Sequence, residues 1–437
     1  VQQDQIEGLT DALGDAGRQV PAARISSAET EAERRDALDR AGAGELEFLF
    51  LSPEQLAVEE VRATIAGIAP SLVAVDEAHC VSAWGHHFRP DYFPLGDLLA
   101  DLGHPRVVAM TATAAPPVRH DIAQRLALHD PVTVVTGFAR PNLALAVDRV
   151  ESPEDQRRRV LELVDAAEGA GIVYCRTRPA AEQYAAALAE RGRRTAVYHA
   201  GLGHRRREAT HEAFLAGELD VIVATSAFGM GIDKPDVRFC VHAQVPESPD
   251  TYYQEVGRAG RDGEPATATL VYRPEDLSLG RFFSGGVPKR DDVARVLDAV
   301  TAGADDPASV AERSGFGRRK AGRIRNLLTL ADEAGRASGG RDRRVDAVVE
   351  LAEAHRKLER SRVEMMRGYA ETDRCRADFL LAYFGEQARR RCGVCDRCRE
   401  GTAPDPADDE DAAYPVAAQV RHDEFGAGVV TDVEDDR

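Results

Sequence analysis

Through about residue 275 the chain repeats one pattern that leaves few folds open. A short run of apolar, mostly β-branched residues is followed by a longer stretch with helical spacing, and then by another such run. Strands are predicted at Phe48–Leu51, Leu72–Val75, Val107–Met110, Gly171–Tyr174, Thr195–Tyr198, Val221–Ala224, Phe239–His242 and Thr269–Tyr272. Strands that alternate with helices build parallel sheets covered on both faces, so the chain reads as α/β. A break at Gly137–Asn142 divides the pattern into two domains. After Pro274 the spacing turns helical up to about residue 400, and a Pro/Asp-rich linker then leads to a short β-like end at Ala418–Val433. A chain of 437 residues has room for about three domains.

Ligands of open parallel sheets collect beyond the carboxyl ends of the strands, which draws attention to Asp76, Thr111, Thr113 and Thr225. Val73-Ala-Val-Asp76-Glu77 puts two acids side by side at the end of a buried strand, which is costly without a cation. The economical reading is phosphoryl transfer, with Asp76 holding a hydrated Mg²⁺ and Glu77 orienting or deprotonating the attacking water. The competing reading is a helix N-cap followed by a first-turn acid. Further along, Gln254-Glu-Val-Gly257-Arg258-Ala-Gly260-Arg261 sets two arginines three apart among glycines, so that planar guanidinium groups can approach phosphate oxygens as arginine fingers. Just past the acid pair lies the only tryptophan, Trp84, with Phe88, Arg89 and Tyr92 beside it. That is a stacking and cation–π set suited to single-stranded bases, although a lone tryptophan more often plugs a core.

Four of the seven cysteines gather near the C-terminus as Cys375-x16-Cys392-x2-Cys395-x2-Cys398, the thiolate set a closed structural zinc site needs. The alternative is four buried thiols without metal, in a polar setting where they would oxidise. Cys80, Cys175 and Cys240 lie in or beside strands and read as core residues.

Taken together, Asp76–Cys80, Ser82–Tyr92, Tyr198–Leu202, Ala224–Asp233 and Gln254–Gly263 resemble the RecQ branch of superfamily-2 helicases, in the family's order over residues 1–275. Tyr383–Glu386 and the cysteines resemble its zinc module over residues 355–400. The resemblance implies two RecA-like parallel-sheet domains, the first one incomplete, followed by a helical, winged-helix-like insertion and a zinc-binding helical module. It also implies ATP between the lobes and 3′-to-5′ unwinding of DNA at junctions of single and double strand. His79, Thr111 and Thr113 would link nucleotide state to DNA, Gly229, Gly231 and Asp233 would bind nucleotide, and Thr225 with the Trp84 loop would contact DNA. The expected domains are 1–138 and 139–284 for the RecA-like lobes, 285–340 for the insertion, 341–400 for the zinc module and 401–437 for an acidic tail.

Two departures from the family pattern stand out. A P-loop needs Lys-Ser or Lys-Thr, yet the four lysines are followed by other residues: Lys234 by Pro235, Lys289 by Arg290, Lys320 by Ala321 and Lys357 by Leu358. The opening Val1-Gln-Gln-Asp resembles the family's motif after the P-loop, so the expectation is a fragment lacking its first strand, P-loop and following helix. The second departure is the insertion itself, read as three helices at Asp291–Val300, Pro307–Arg313 and Arg318–Ala334. Ile324, Leu327, Leu328 and Ala331 would face a core, and Arg319, Lys320 and Arg323 would project toward DNA phosphates. The competing reading is a helical insertion with a solvated basic face.

A net charge of −18 by itself disfavours a polyanionic partner, but eleven acids sit in residues 401–437, so the tail accounts for half of it. This tail is expected to meet a protein partner or to serve as a mere cap. No run of apolar residues is long enough for a membrane helix, so no membrane partner is expected. The expected whole is a cytoplasmic, nucleoid-associated DNA helicase of repair or recombination using ATP, Mg²⁺ and Zn²⁺. The rival readings are a non-catalytic DNA-binding or regulatory protein on a helicase scaffold and, within the same class, an RNA helicase.

Overall fold

The structure, a computed structural model, describes residues 21–26, 29–82, 94–229, 232–278, 286–304, 306–333, 340–387, 390–404, 418–422 and 426–430, with Ile6, Gly8 and Tyr92 besides. Its strands are β1 (Ala22–Ile25), β2 (Phe48–Leu51), β3 (Leu72–Val75), β4 (Arg106–Ala109), β5 (Leu143–Arg149), β6 (Ala170–Tyr174), β7 (Thr195–Tyr198), β8 (Val221–Ala224), β9 (Val237–His242), β10 (Ala266–Tyr272), β11 (Gln419–His422) and β12 (Gly426–Val429). All predicted strands are present, with ends differing by up to three residues. The sequence reading missed β1 and β5, whose sequences, AARI and LALAVDR, are diluted by alanine and charged residues of low strand preference.

The second lobe carries a six-stranded parallel sheet in the order β5-β10-β9-β6-β8-β7. The central strands β6 and β8 carry no charged residue because helices cover both faces. Val160, Val164, Val173, Leu188, Val221 and Val223 are buried in one cluster between layers. Three of the crossover helices start on a hydroxyl that caps a free amide just before or beside a proline: Ser152 for Pro153–Ala166, Thr177 for Arg178–Glu190 and Ser248 for Pro249–Val256, whereas His204–Leu215 starts at Gly203 without a side-chain cap. Where β6 meets β9 the register shifts, and a Cβ on Gly171 would stand 2.1 Å from the Phe239 ring, so glycine alone fits.

In the first lobe the described strands form two separate parallel pairs, β1-β2 and β3-β4. Ile25, Leu38, Leu56, Ile65, Val75, Leu99, Val118 and Leu126 fill its core. The outer flank is bare by comparison, with Val108 43% exposed on β4, Met110 45% exposed after it, and Val132 and Val134 at 90% and 78% in the extended segment beyond.

The chain divides into two compact units, described separately: Val1–Asp276 with Met365–His422 and Gly426–Arg437, and Leu277–Glu364 with Asp423–Phe425. The two units meet at 277 and inside the helix Arg341–Glu371. The reason is long-range pairing. Arg341 bonds Asp298 and Arg344 bonds Asp332, tying the start of that helix to the segment before it. Its end carries Tyr369, whose ring lies 4.9 Å from that of Tyr252 in the second lobe, tilted by 51°.

The helical unit contains Arg290–Thr301, Pro307–Ser314 and Arg318–Glu333, close to the predicted spans. Asp306 closes a capping box, and Gly315 at φ 69° ends the second helix in the left-handed conformation that makes the tight turn. Ile324, Leu327, Leu328 and Ala331 are buried as expected. No strand occurs among the described residues of this unit, so what is described is a helix-turn-helix without a wing. Most of the acidic tail lies outside the described residues apart from the antiparallel pair β11-β12. No helix among the described residues is long and apolar enough to cross a membrane.

Candidate functional site: an acid pair, an arginine loop and four thiols

The first cluster forms where β3 and β4 end together. The Met110 amide donates to the Val75 carbonyl and the Ala78 amide to the Met110 carbonyl, both at 2.8 Å, which draws Asp76 and Glu77 toward Thr111. Glu77 adopts φ 49°, a left-handed conformation that costs a non-glycine residue free energy and is held by its surroundings. Its amide donates to Asp76 Oδ1 at 2.8 Å. His79 is buried, with Nδ1 2.9 Å from Thr111 Oγ1 and 3.2 Å from Glu77 Oε2. Thr111 in turn donates to the Thr113 carbonyl at 3.1 Å. Five residues singled out in the sequence thus form one connected cluster. Burial opposes a charged imidazolium here, but the neighbouring Cys80 and Glu77 outweigh it and push His79 up to about 9.

The second cluster belongs to the other lobe. Gln254 lies on the helix Pro249–Val256, which ends at Gly257 and releases the loop with both arginines. Arg261 is partly exposed and donates to the Ile232 carbonyl and Asp233 Oδ1, each at 2.9 Å. Arg258 behaves differently. Only 4% exposed, it turns into the lobe beside the Tyr174 hydroxyl and Gly229. Beneath it, His242 Nε2 meets Glu255 Oε2 at 2.8 Å, a fully buried pair that no sequence pattern announced. Thr225 follows β8 and donates its amide to Tyr198 at 3.2 Å.

Tyr92 packs on the first lobe's core. Trp84, Phe88, Arg89 and Gly231 lie outside the described residues, as does the side chain of Arg319. In the helical unit Arg323 is exposed, whereas Lys320 is engaged within the unit. Its Nζ stands 4.0 Å from the Phe316 ring centroid and 2.9 Å from Asp292 Oδ2.

The third cluster gathers Cys375, Cys392, Cys395 and Cys398, whose sulfurs all lie within 4.8 Å of one another. Sγ–Sγ separations of 3.9 Å for Cys392–Cys398 and Cys375–Cys395 match the edge of about 3.8 Å expected for a tetrahedron with Zn–S near 2.3 Å. The amides of Cys392 and Cys395 point at sulfurs of the set, at 3.4 Å each. Hydrogen bonds from Cys375 and Cys392 hold the Cys395 thiol well below its ordinary range, while Cys375 is pushed far up by the same contacts. Four thiolates held this close repel one another, and a bound cation would offset that repulsion.

Two α/β lobes with an acid pair at a strand end in one, an arginine loop in the other and a four-thiol module beyond them are the arrangement the resemblance to superfamily-2 helicases implies. The description "Helicase conserved C-terminal domain" matches residues 155–263, and "RecQ zinc-binding" matches residues 336–399. The ATP-dependent DNA helicase RecQ of Bacillus subtilis is 33% identical over 400 residues, covering 91% of this chain and 56% of that protein. The probable ATP-dependent DNA helicase RecS of the same organism is 41% identical over 256 residues, covering 57% and 52%. By both domain descriptions and both relatives, the chain is similar to RecQ-type helicases. It spans about half the length of the curated relatives it matches. Among solved structures, Mycobacterium smegmatis Lhr bound to single-stranded DNA and AMP-PNP is similar at TM-score 0.50 and 24% identity, covering 74% of this chain and 47% of that one. The helicase MrfA bound to DNA is similar at 0.51 and 19%, covering 63% and 41%. These two likenesses are of fold alone.

Proposed function

We propose that the protein is an ATP-dependent DNA helicase of RecQ type that unwinds DNA in the 3′-to-5′ direction, in repair or recombination. The observation that carries this reading is the single hydrogen-bonded cluster of Asp76, Glu77, His79, Thr111 and Thr113, in a chain whose other lobe holds Arg258 and Arg261. Asp76 would hold Mg²⁺, which when bound would neutralise charge developing on the phosphates. Glu77 would orient or accept a proton from the attacking water, and His79 would pass a change at Glu77 to Thr111. Arg261 would exchange Asp233 for a phosphate oxygen, and Arg258 would supply charge from within the lobe. Trp84, Phe88, Arg89, Tyr92 and Thr225 are proposed to face the DNA strand. In the helical unit Arg319 and Arg323 are the proposed phosphate contacts, with Lys320 serving chiefly to hold Phe316 and Asp292. A reducing cytoplasm near the nucleoid suits the four thiols.

The 437 residues contain no P-loop lysine, so this chain alone is expected not to hydrolyse ATP. The test compares DNA-stimulated hydrolysis and strand separation in this chain and in one that also carries a P-loop segment. Activity is expected in the second chain only, and Glu77→Gln should abolish it. Robust hydrolysis by the 437-residue chain would overturn the requirement. Inactivity of both chains, with DNA binding retained, would favour the non-catalytic reading.

A further inference from the structure

Residues Phe138 to Asn142 join the two lobes, and their contacts run in two directions. Toward the cysteine module, the Phe138 amide donates to Glu386 Oε2 at 3.1 Å, and its carbonyl accepts from the Tyr253 hydroxyl at 2.6 Å. The Phe138 ring stacks on Phe384, with centroids 4.3 Å apart and planes 11° from parallel, and Tyr253 meets Phe384 edge-on at 4.9 Å. Gly385 takes φ +79°, and a Cβ there would come within 2.6 Å of Pro116, so this approach is open only to glycine. Arg119 adds a bond from Nη2 to the Phe384 carbonyl at 2.8 Å.

Toward the arginine loop, Arg140 Nη1 donates to the Gly257 carbonyl at 3.0 Å, and Nη2 to the carbonyls of Ala259 and Gly260 at 2.8 and 3.1 Å. Asn142 Nδ2 donates to Gly260 at 2.7 Å and Glu264 at 2.9 Å. These carbonyls bracket Arg258 and immediately precede Arg261. A planar guanidinium fork that spans three carbonyls fixes the orientation of a loop as well as its position, which a single ammonium nitrogen cannot do.

We propose that Arg140 is a positioning residue for Arg258 and Arg261, and that Glu386 and Phe384 of the cysteine module hold the linker from which Arg140 reaches. The zinc module thereby acts on the arginine loop through the linker backbone, which Glu386 holds at the Phe138 amide. Arg140 touches no nucleotide in this scheme. It sets where the charges of Arg258 and Arg261 stand when phosphoryl transfer demands them, a demand that rests on the ATPase reading above.

The test uses Arg140→Gln, Arg140→Lys and Glu386→Gln. In the 437-residue chain, amide hydrogen exchange over residues 257–263 should speed up about tenfold or more for Arg140→Gln and less for Arg140→Lys, with exchange in β6 and β8 unchanged as a check on folding. In the P-loop-bearing chain, DNA-stimulated kcat should fall by about ten- to a hundredfold while the KM for ATP stays within about twofold. Glu386→Gln should reproduce both changes more weakly with zinc content unaltered. Unchanged exchange at 257–263 would overturn the proposal whatever the ATPase does, and faster exchange with unchanged kcat would overturn the positioning role. If the unsubstituted P-loop-bearing chain hydrolyses nothing, the ATPase reading fails, and the exchange experiment still decides whether Arg140 straps the loop.

Discussion

The two lobes share one plan of strands and crossover helices, yet their sheet edges are managed in opposite ways. In the second lobe the outermost strand β5 is covered. Asp396, at the start of the helix Asp396–Glu400, accepts from the Val147 amide at 3.0 Å, and the same carboxylate is held by the buried Arg376 at 3.1 Å. Around it Tyr272 donates to Glu371 at 2.6 Å, Tyr369 to Tyr252 at 3.0 Å, and Tyr383 bonds the buried Asp250. In the first lobe β4 and the segment after it present valines and a methionine to solvent. A row of unpaired strand amides is an invitation to association, so covering an edge contributes solubility as well as stability. The cysteine module is therefore a structural part of the second lobe, although the helical unit Leu277–Glu364 separates the two in sequence.

The sharpest way to break the contrast is to remove the metal. Chelation, or Cys395→Ser, should unfold residues 375–404, because structural zinc is worth about 10 kcal/mol in small zinc modules. The β5 edge would then be exposed. Elemental analysis of reduced protein should find one zinc per chain, and its loss should accelerate hydrogen exchange at Val147 and its β5 neighbours while β1 and β2 keep their protection. Equal loosening of both lobes would show that the module braces the whole core and not one edge.

A smaller effect should be confined to the first lobe. His79 has a folded pKa of about 9 against an ordinary 6.5, so folding favours its protonated form. Its contribution is complete below about pH 6.5 and is lost as pH rises through 9. The urea midpoint of the first lobe should decline over that interval, and His79→Gln should flatten the decline. A pH-independent midpoint in the native chain would mean that the Glu77–His79 contact carries no net charge. The smallest expected change is Val108→Thr on the bare β4 flank. Stability should stay within about 0.5 kcal/mol, since the side chain is 43% exposed, while light scattering at equal concentration should fall. The comparable polar change at a buried position of β5, Leu145→Thr, should destabilise instead.

Much of this protein was determined by local sequence. Runs such as Val221–Ala224 and Leu72–Val75, spaced by helical stretches with Ser/Thr-Pro starts, specify parallel α/β layers because burial on both faces demands continuous apolar strands. The acid pair, the paired arginines and the cysteine spacing were legible because each chemistry needs particular groups within a few residues of one another. Tertiary structure decided the rest. β1 and β5 are strands because β2 and β10 pair with them, not because AARI or LALAVDR prefers to be extended. Arg258 turns inward, Lys320 lies over Phe316, and Arg140 grips carbonyls 117 to 120 residues away. No periodicity encodes such contacts, since their free energy comes from partners that meet only when the chain has folded.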